Sequence, residues 1–160
     1  MKEWSEISYP KFFIKLSKEL SSLRSKLSKN IYREGTEKYR GDKEEKISHL
    51  GVLAELISRN YLTETDLHFT SAPIVDVNPI VECDIKMENY LIDVKGVKNK
   101  DTKLRVNFDA HNNLKKEITH YLFIQILSSS TARYKWFSYE EVSDWNVIKS
   151  TYSKCYAIDI

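Results

Sequence analysis

A chain of 160 residues fits one ordinary domain with a buried core, and 41% hydrophobic and 30% charged residues with only four glycines and three prolines exclude extended disorder. No apolar run approaches bilayer-spanning length and the start, MKEWSEISYPKFF, lacks the apolar stretch of a signal peptide, so no membrane partner is expected and the cytoplasm is the default location. A net charge of +2 does not announce nucleic-acid binding, and Cys83 and Cys155, outside any CxxC or Cys/His cluster, predict buried thiols in preference to a disulfide, with no zinc.

After Pro10, Phe13, Leu16, Leu20, Leu23 and Leu27 recur at alternating spacings of three and four, which predicts a long helix with one apolar seam. Lys11, Lys15, Lys18, Arg24, Lys26 and Lys29 occupy its other faces, a pattern expected of a solvated surface ahead of a phosphate-binding one. The charged stretch REGTEKYRGDK from Arg33 to Lys43 reads as a connecting loop that substrate could approach, with Tyr32 and Tyr39 as candidates for base stacking. A second helix carries Ile47, Leu50, Ala54, Ile57 and Tyr61 on one side, Glu55 beside that seam, and Gly51 as a surface for close packing.

From Asp66 onward short β-branched and aromatic runs predict strands at Leu67–Phe69, Ile80–Ile85, Tyr90–Val94, Leu104–Phe108, Tyr121–Leu127 and Tyr134–Phe137. Asp109 is a candidate cap for a helix with Leu114 and Ile118, and YLFIQIL reads as a strand covered on both faces. A short helix around Tyr139–Trp145 and the strand CYAIDI complete an α/β order with a central mixed sheet.

The stretch VECDIKMENYLIDVKG from Val81 to Gly96 is a predicted hairpin turning at Glu88 and Asn89. A two-residue loop pairs Met87 with Tyr90, Lys86 with Leu91 and Ile85 with Ile92, and sets Asp84 opposite Asp93. Lys95 then shares the face of Asp93, with Glu82 opposite Lys95. Opposed carboxylates repel, which a divalent cation would offset, and an oxygen-only donor set suits Mg²⁺ or Mn²⁺. Lys95 can hold the attacking water or the charge of a phosphate, so the group points to phosphodiester hydrolysis. A three-residue loop would scatter the same residues, and an edge strand guarded by its charges is the plain structural alternative.

Asp84, the triplet Asp93-Val94-Lys95 and Glu55 on the preceding helix together resemble the PD-(D/E)XK nuclease superfamily, over about residues 47–127. The first motif departs from its pattern, reading Glu-Cys-Asp where Pro-Asp is usual, with Pro79 nearby. The resemblance implies a three-layer α/β/α restriction-endonuclease-like core over 44–160, with residues 1–32 as an added N-terminal helical extension of a single domain. It further implies that Asp84 and Asp93 bind Mg²⁺, Mn²⁺ serving as well, that Lys95 positions the nucleophile, and that Glu55 completes or orients the metal shell, with Glu82 as a substitute ligand.

The expected activity is a Mg²⁺-dependent endonuclease acting on DNA, RNA remaining open, with the N-terminal helix available for a homodimer. The alternative is a non-catalytic nucleic-acid-binding or assembly protein that keeps the fold. Lys98, Lys100, Lys103 and Arg105 follow the hairpin as candidate phosphate contacts, a solvated loop being nearly equivalent. Asn107, His111, Asn112 and Asn113 surround the next helix start, where capping is favoured over phosphate contact. Gln125 reads equally as a polar site residue or a hydrogen-bonded core glutamine, and the four histidines, lacking HxH or HExxH spacing, as ordinary ones.

Overall fold

The computed structural model describes residues 3–32, 42–75, 83–113, 117–150 and 153–160. In chain order they form β1 (Ser5–Ser8), α1 (Phe12–Tyr32), α2 (Asp42–Glu64), β2 (Thr70–Ser71), β3 (Ile85–Met87), β4 (Tyr90–Lys98) and β5 (Lys103–Asn107). There follow α3 (Phe108–His111), β6 (His120–Ile126), β7 (Thr131–Ser138), α4 (Tyr139–Ser143), β8 (Asn146–Lys149) and β9 (Lys154–Asp159). No helix among the described residues is long and apolar enough to cross a membrane.

The main sheet is mixed, in the order β1-β7-β6-β4-β3-β2, with β4 and β6 parallel and every other pairing antiparallel. Side chains alternate across it, so each face gathers its own core. Ile92 and Val94 of β4, Leu122 and Ile124 of β6 and Ala132 of β7 meet Leu53, Ala54, Ile57 and Leu62 of α2 and Phe13 of α1. Val97, Tyr121, Phe123 and Phe137 meet Leu104, Val106 and Tyr156 of a second sheet, β5-β9-β8, together with Val142 and Trp145. The architecture is therefore α/β with a mixed sheet, as expected. The second face, however, carries a three-stranded sheet and two short helices where the expected α/β/α layering has a helical layer.

The N-terminal segment is more than an added helix: β1 pairs with β7 at the edge of the main sheet, and Tyr9 and Phe13 enter the core. Within α1 the buried line runs through Phe13, Ser17 and Ser21, whereas Leu23 is half exposed. The leucine periodicity thus marks the flank of the contact. Ser17 and Ser21 donate their hydroxyls to the carbonyls of Ile14 and Lys18, satisfying their polarity within the helix, and α1 lies close along α2. α2 packs in turn across β4 and β6.

Close packing of α2 on the sheet depends on Gly96, not Gly51. A Cβ on Gly96 would stand 2.6 Å from the Leu50 carbonyl oxygen, whereas one on Gly51 would meet nothing within 4 Å. Other boundaries also moved. Asp42 and Lys43 already belong to α2, Leu67–Phe69 precedes a two-residue β2, and β1 and β8 arise where no strand was predicted. Asn107 caps α3 through its side chain while Asp109 sits within the first turn, and Ile118 lies outside the helix. Leu114, Arg33 to Gly41 including Tyr39, and Ile80 to Glu82 lie outside the described residues.

Candidate active site

The hairpin of β3 and β4 adopts the predicted register, pairing Ile85 with Ile92, Lys86 with Leu91 and Met87 with Tyr90 around Glu88 and Asn89. The turn holds Glu88 at a φ of 37°, a left-handed backbone that a side chain disfavours. Asp84 stands one residue beyond the paired stretch, where β3 leaves β4. Its N–H donates to the Ile92 carbonyl at 3.0 Å and its own carbonyl accepts from Ala72 at 3.0 Å. Its carboxylate Oδ2 accepts the N–H of Val94 at 2.7 Å, so a side chain takes over the hydrogen bond that a continuing strand would have made.

Strand alternation turns Val94 toward α2 and places Asp93 and Lys95 on the opposite face of β4. The Lys95 ammonium contacts Asp93 Oδ2 directly. Burial by itself would lower the Lys95 pKa, but the surrounding carboxylates of Asp93, Asp84 and Glu55 outweigh it and hold the group above the ordinary lysine value. Burial, reinforced by Asp93 and Glu55, pushes the Asp84 carboxyl up to about 7, against the opposing pull of Lys95 and the Val94 N–H. The four residues singled out in the sequence, Glu55, Asp84, Asp93 and Lys95, therefore lie within one another's electrostatic reach.

Glu55, on α2, lies within electrostatic reach of Asp84, Asp93 and Lys95, and its side chain is only 8% exposed. Both of its oxygens accept from Arg24 Nη2 of α1, at 2.9 and 3.2 Å. Arg59, four residues further along α2, lies 3.5 Å from Oε2. The same guanidiniums tie down the chain ahead of the hairpin, with Arg24 Nε donating to the Ile74 carbonyl and Arg59 Nη2 to that of Ala72, each at 2.7 Å. Burial pushes the Glu55 carboxyl up; Arg24 and Arg59 pull it back, and Asp93 adds to the upward push.

Arg24 and Arg59 are the site residues that sequence reasoning missed. Arg24 was grouped with the solvated lysines of α1, though it lies three residues after the buried Ser21. Arg59 had a readable signal in its i, i+4 spacing from Glu55.

The donor set bears on a cation in a definite way. Among the described residues no group of three or more His, Cys, Asp or Glu side chains is arranged to hold a metal; Glu55 is turned to its arginines, and Glu82 lies outside those residues. Asp84 and Asp93 remain as two neighbouring carboxylates, which fits Mg²⁺, an ion that takes one or two carboxylates and keeps several waters.

The candidate phosphate contacts separate. Lys98 and Lys100 are exposed at the end of β4. Lys103 and Arg105 alternate with the buried Leu104 and Val106 and so point away from the core between the sheets, Lys103 toward Asp159 at 2.5 Å. Asn112 stands at the end of α3, not its start, as the C-cap, and donates to the Phe108 carbonyl at 2.7 Å.

Gln125 is the hydrogen-bonded core glutamine, donating to Lys98 and accepting from Arg133 at 2.6 Å. His111 is buried between Tyr121 and Ser143, 2.8 and 2.9 Å from their hydroxyls. Cys155 is buried and Cys83 half-buried. No protein-family model, curated protein or solved structure matches this chain.

Proposed function

We propose that the protein is a Mg²⁺-dependent endonuclease that hydrolyses DNA phosphodiester bonds within a restriction-endonuclease-like variant of the α/β fold. The observation that carries this reading is the union, at the point where β3 leaves β4, of Asp84, Asp93 and Lys95 with a buried Glu55 beside them. The Asp93 charge adds to the upward push on the carboxyls of Asp84 and Glu55, and a divalent cation relieves that repulsion.

Asp84 and Asp93 would hold Mg²⁺, with Mn²⁺ as an alternative. When bound, the ion lowers the pKa of a coordinated water and neutralises phosphoryl oxygens. The chain supplies the rest. Val94 fixes the Asp84 carboxylate through its N–H. Lys95, kept protonated by its neighbours, donates to the incoming water or to the phosphate as negative charge develops. Lys98 and Lys100, exposed at the end of β4 and in the turn after it, would meet backbone phosphates flanking the scissile one.

Phe12, 63% exposed, and Leu23, 50% exposed, leave apolar surface on α1, which favours pairing with a second copy and so cleavage of both strands.

The deciding assay incubates plasmid DNA, single-stranded DNA and RNA with Mg²⁺, Mn²⁺ or EDTA. Cleavage that requires the metal and falls at least about 10²-fold in Asp93→Ala and Lys95→Ala supports the reading. Cleavage in EDTA, or cleavage indifferent to both substitutions, overturns it. Binding to nucleic acid with no cleavage of any substrate favours the non-catalytic alternative.

A further inference from the structure

We propose that Arg24 and Arg59 are the phosphate-binding cations of this site, and that Glu55 serves as their counter-ion until a divalent cation binds. This rests on the metal-dependent reading above and assigns roles to two residues that lie outside its motif.

Arg24 and Arg59 pair with Glu55, Lys95 pairs with Asp93, and Asp84 lies within electrostatic reach of Arg59 and Lys95, three formal positive charges against three negative. That balance lets the cluster persist half-buried without a ligand. Adding a dication upsets it, and a polyanion restores it. Glu55 is the carboxylate able to respond. Its oxygens are spent on guanidiniums, yet it lies close enough to Asp84 and Asp93 to raise the pKa of one and to feel the charge of the other.

With a cation held by Asp84 and Asp93, Glu55 would turn from Arg24 toward it, and the two guanidiniums would lose their counter-charge. Guanidinium is the side-chain group best matched to a phosphodiester, planar and able to donate two parallel N–H bonds.

Two observations place the arginines for this exchange. Arg24 and Arg59 are anchored by carbonyls, Ile74 and Ala72, that remain in place when Glu55 leaves, so the groups stay at the site. Arg59 Nε is buried without a hydrogen-bond partner among the described residues, a donor still open in a group that also lies near Asp84. The close α1–α2 contact through Ser17 and Ser21 is what brings Arg24 within reach, and it makes the N-terminal helix part of the reaction centre.

The test measures Mn²⁺ binding by calorimetry, and binding of a fluorescent DNA duplex in EDTA and in Ca²⁺, for the full chain and for Arg24→Gln, Arg24→Lys, Arg59→Lys and Asp93→Ala. With Glu55 released beforehand, Arg24→Gln binds Mn²⁺ at least three-fold more tightly than the wild type. In Ca²⁺ the wild type gains DNA affinity at least ten-fold over EDTA, and Arg24→Gln loses most of that gain. A purely structural arginine predicts Mn²⁺ affinity unchanged or weakened, and that result overturns the exchange. Equal gains in DNA affinity by wild type and variant overturn the phosphate role.

Circular dichroism and thermal melting confirm that each variant is folded. Should Arg24→Gln fail to fold, the two lysine variants keep the charge but lose the paired N–H donors, and the same losses of DNA affinity are expected of them. If Asp93→Ala binds Mn²⁺ as the wild type does, the metal reading itself fails. If Asp93→Ala loses Mn²⁺ while Arg24→Gln behaves as wild type, the arginine assignment alone fails.

Discussion

The carboxylate of Asp84 accepts the backbone N–H of Val94 at 2.7 Å, which makes one side chain both the end of a strand pairing and a member of the charged cluster. The two duties can be separated by substitution. Asp84→Asn keeps an oxygen for Val94 and removes the charge, whereas Asp84→Ala removes both. On the proposed nuclease reading, both variants lose cleavage by about 10²-fold or more. In the absence of metal, Asp84→Ala should unfold about 1–3 kcal/mol more easily than Asp84→Asn, the penalty for a buried N–H left unpaired. Urea unfolding in EDTA measures the difference.

Asp84 also imposes a pH dependence on the metal-free chain. Its carboxyl lies at about 7 in the folded protein against an ordinary value of 3.8, so the folded state binds that proton more tightly than the unfolded one. Stability from this group is greatest below about pH 4 and falls as pH rises through the window up to about 7, beyond which it is constant. Glu55, also raised, acts in the same sense. His49 and His111, both lowered chiefly by burial, act oppositely as pH falls. The quantity to read is therefore the melting temperature of Asp84→Asn minus that of wild type in EDTA. It should grow by several degrees between pH 5 and pH 8, and a flat difference would contradict the burial of this carboxyl.

Gly96 carries a prediction about how α2 is seated. Alanine there would drive a Cβ to 2.6 Å from the Leu50 carbonyl oxygen and 2.8 Å from its Cγ, and the carbonyl is backbone with little freedom to move. Gly96→Ala should cost about 1–3 kcal/mol by equilibrium unfolding, and it should disturb the approach of Glu55, which rides on the same helix. Gly51→Ala, with open space around the added atom and a helical backbone, should leave stability unchanged or raise it by up to about 1 kcal/mol.

The turn offers a test that does not depend on function. Glu88 holds a φ of 37° at the tip of a two-residue loop. Glu88→Gly removes the steric penalty and is expected to stabilise the chain by about 0.5–1 kcal/mol, with cleavage unchanged. Destabilisation in the same unfolding measurement would mean that the side chain makes a contact worth more than the strain.

The hairpin was readable because its causes are local. Two turn-forming residues between two β-rich runs leave one register that keeps Ile85, Ile92 and Val94 on a single buried face, and that register brings Asp84 beside Asp93 and sends Lys95 to Asp93's side. The alternation of Leu104 and Val106 with Lys103 and Arg105 was equally present in the chain, but that its apolar face packs against the main sheet was not.

The rest awaited tertiary contacts. The leucines of α1 give its period but not its rotation about the axis; packing against α2 buried the serine line instead, and that rotation carried Arg24 out of the set of solvated cations and onto Glu55. β1, too short and polar to announce itself, is a strand only because β7 offers an edge to pair with. Periodicity and turn chemistry act between neighbours in sequence and so fixed the elements and the hairpin. Only long-range packing could decide which side of each element meets which partner, and with it the two arginines that complete the charge balance of the site.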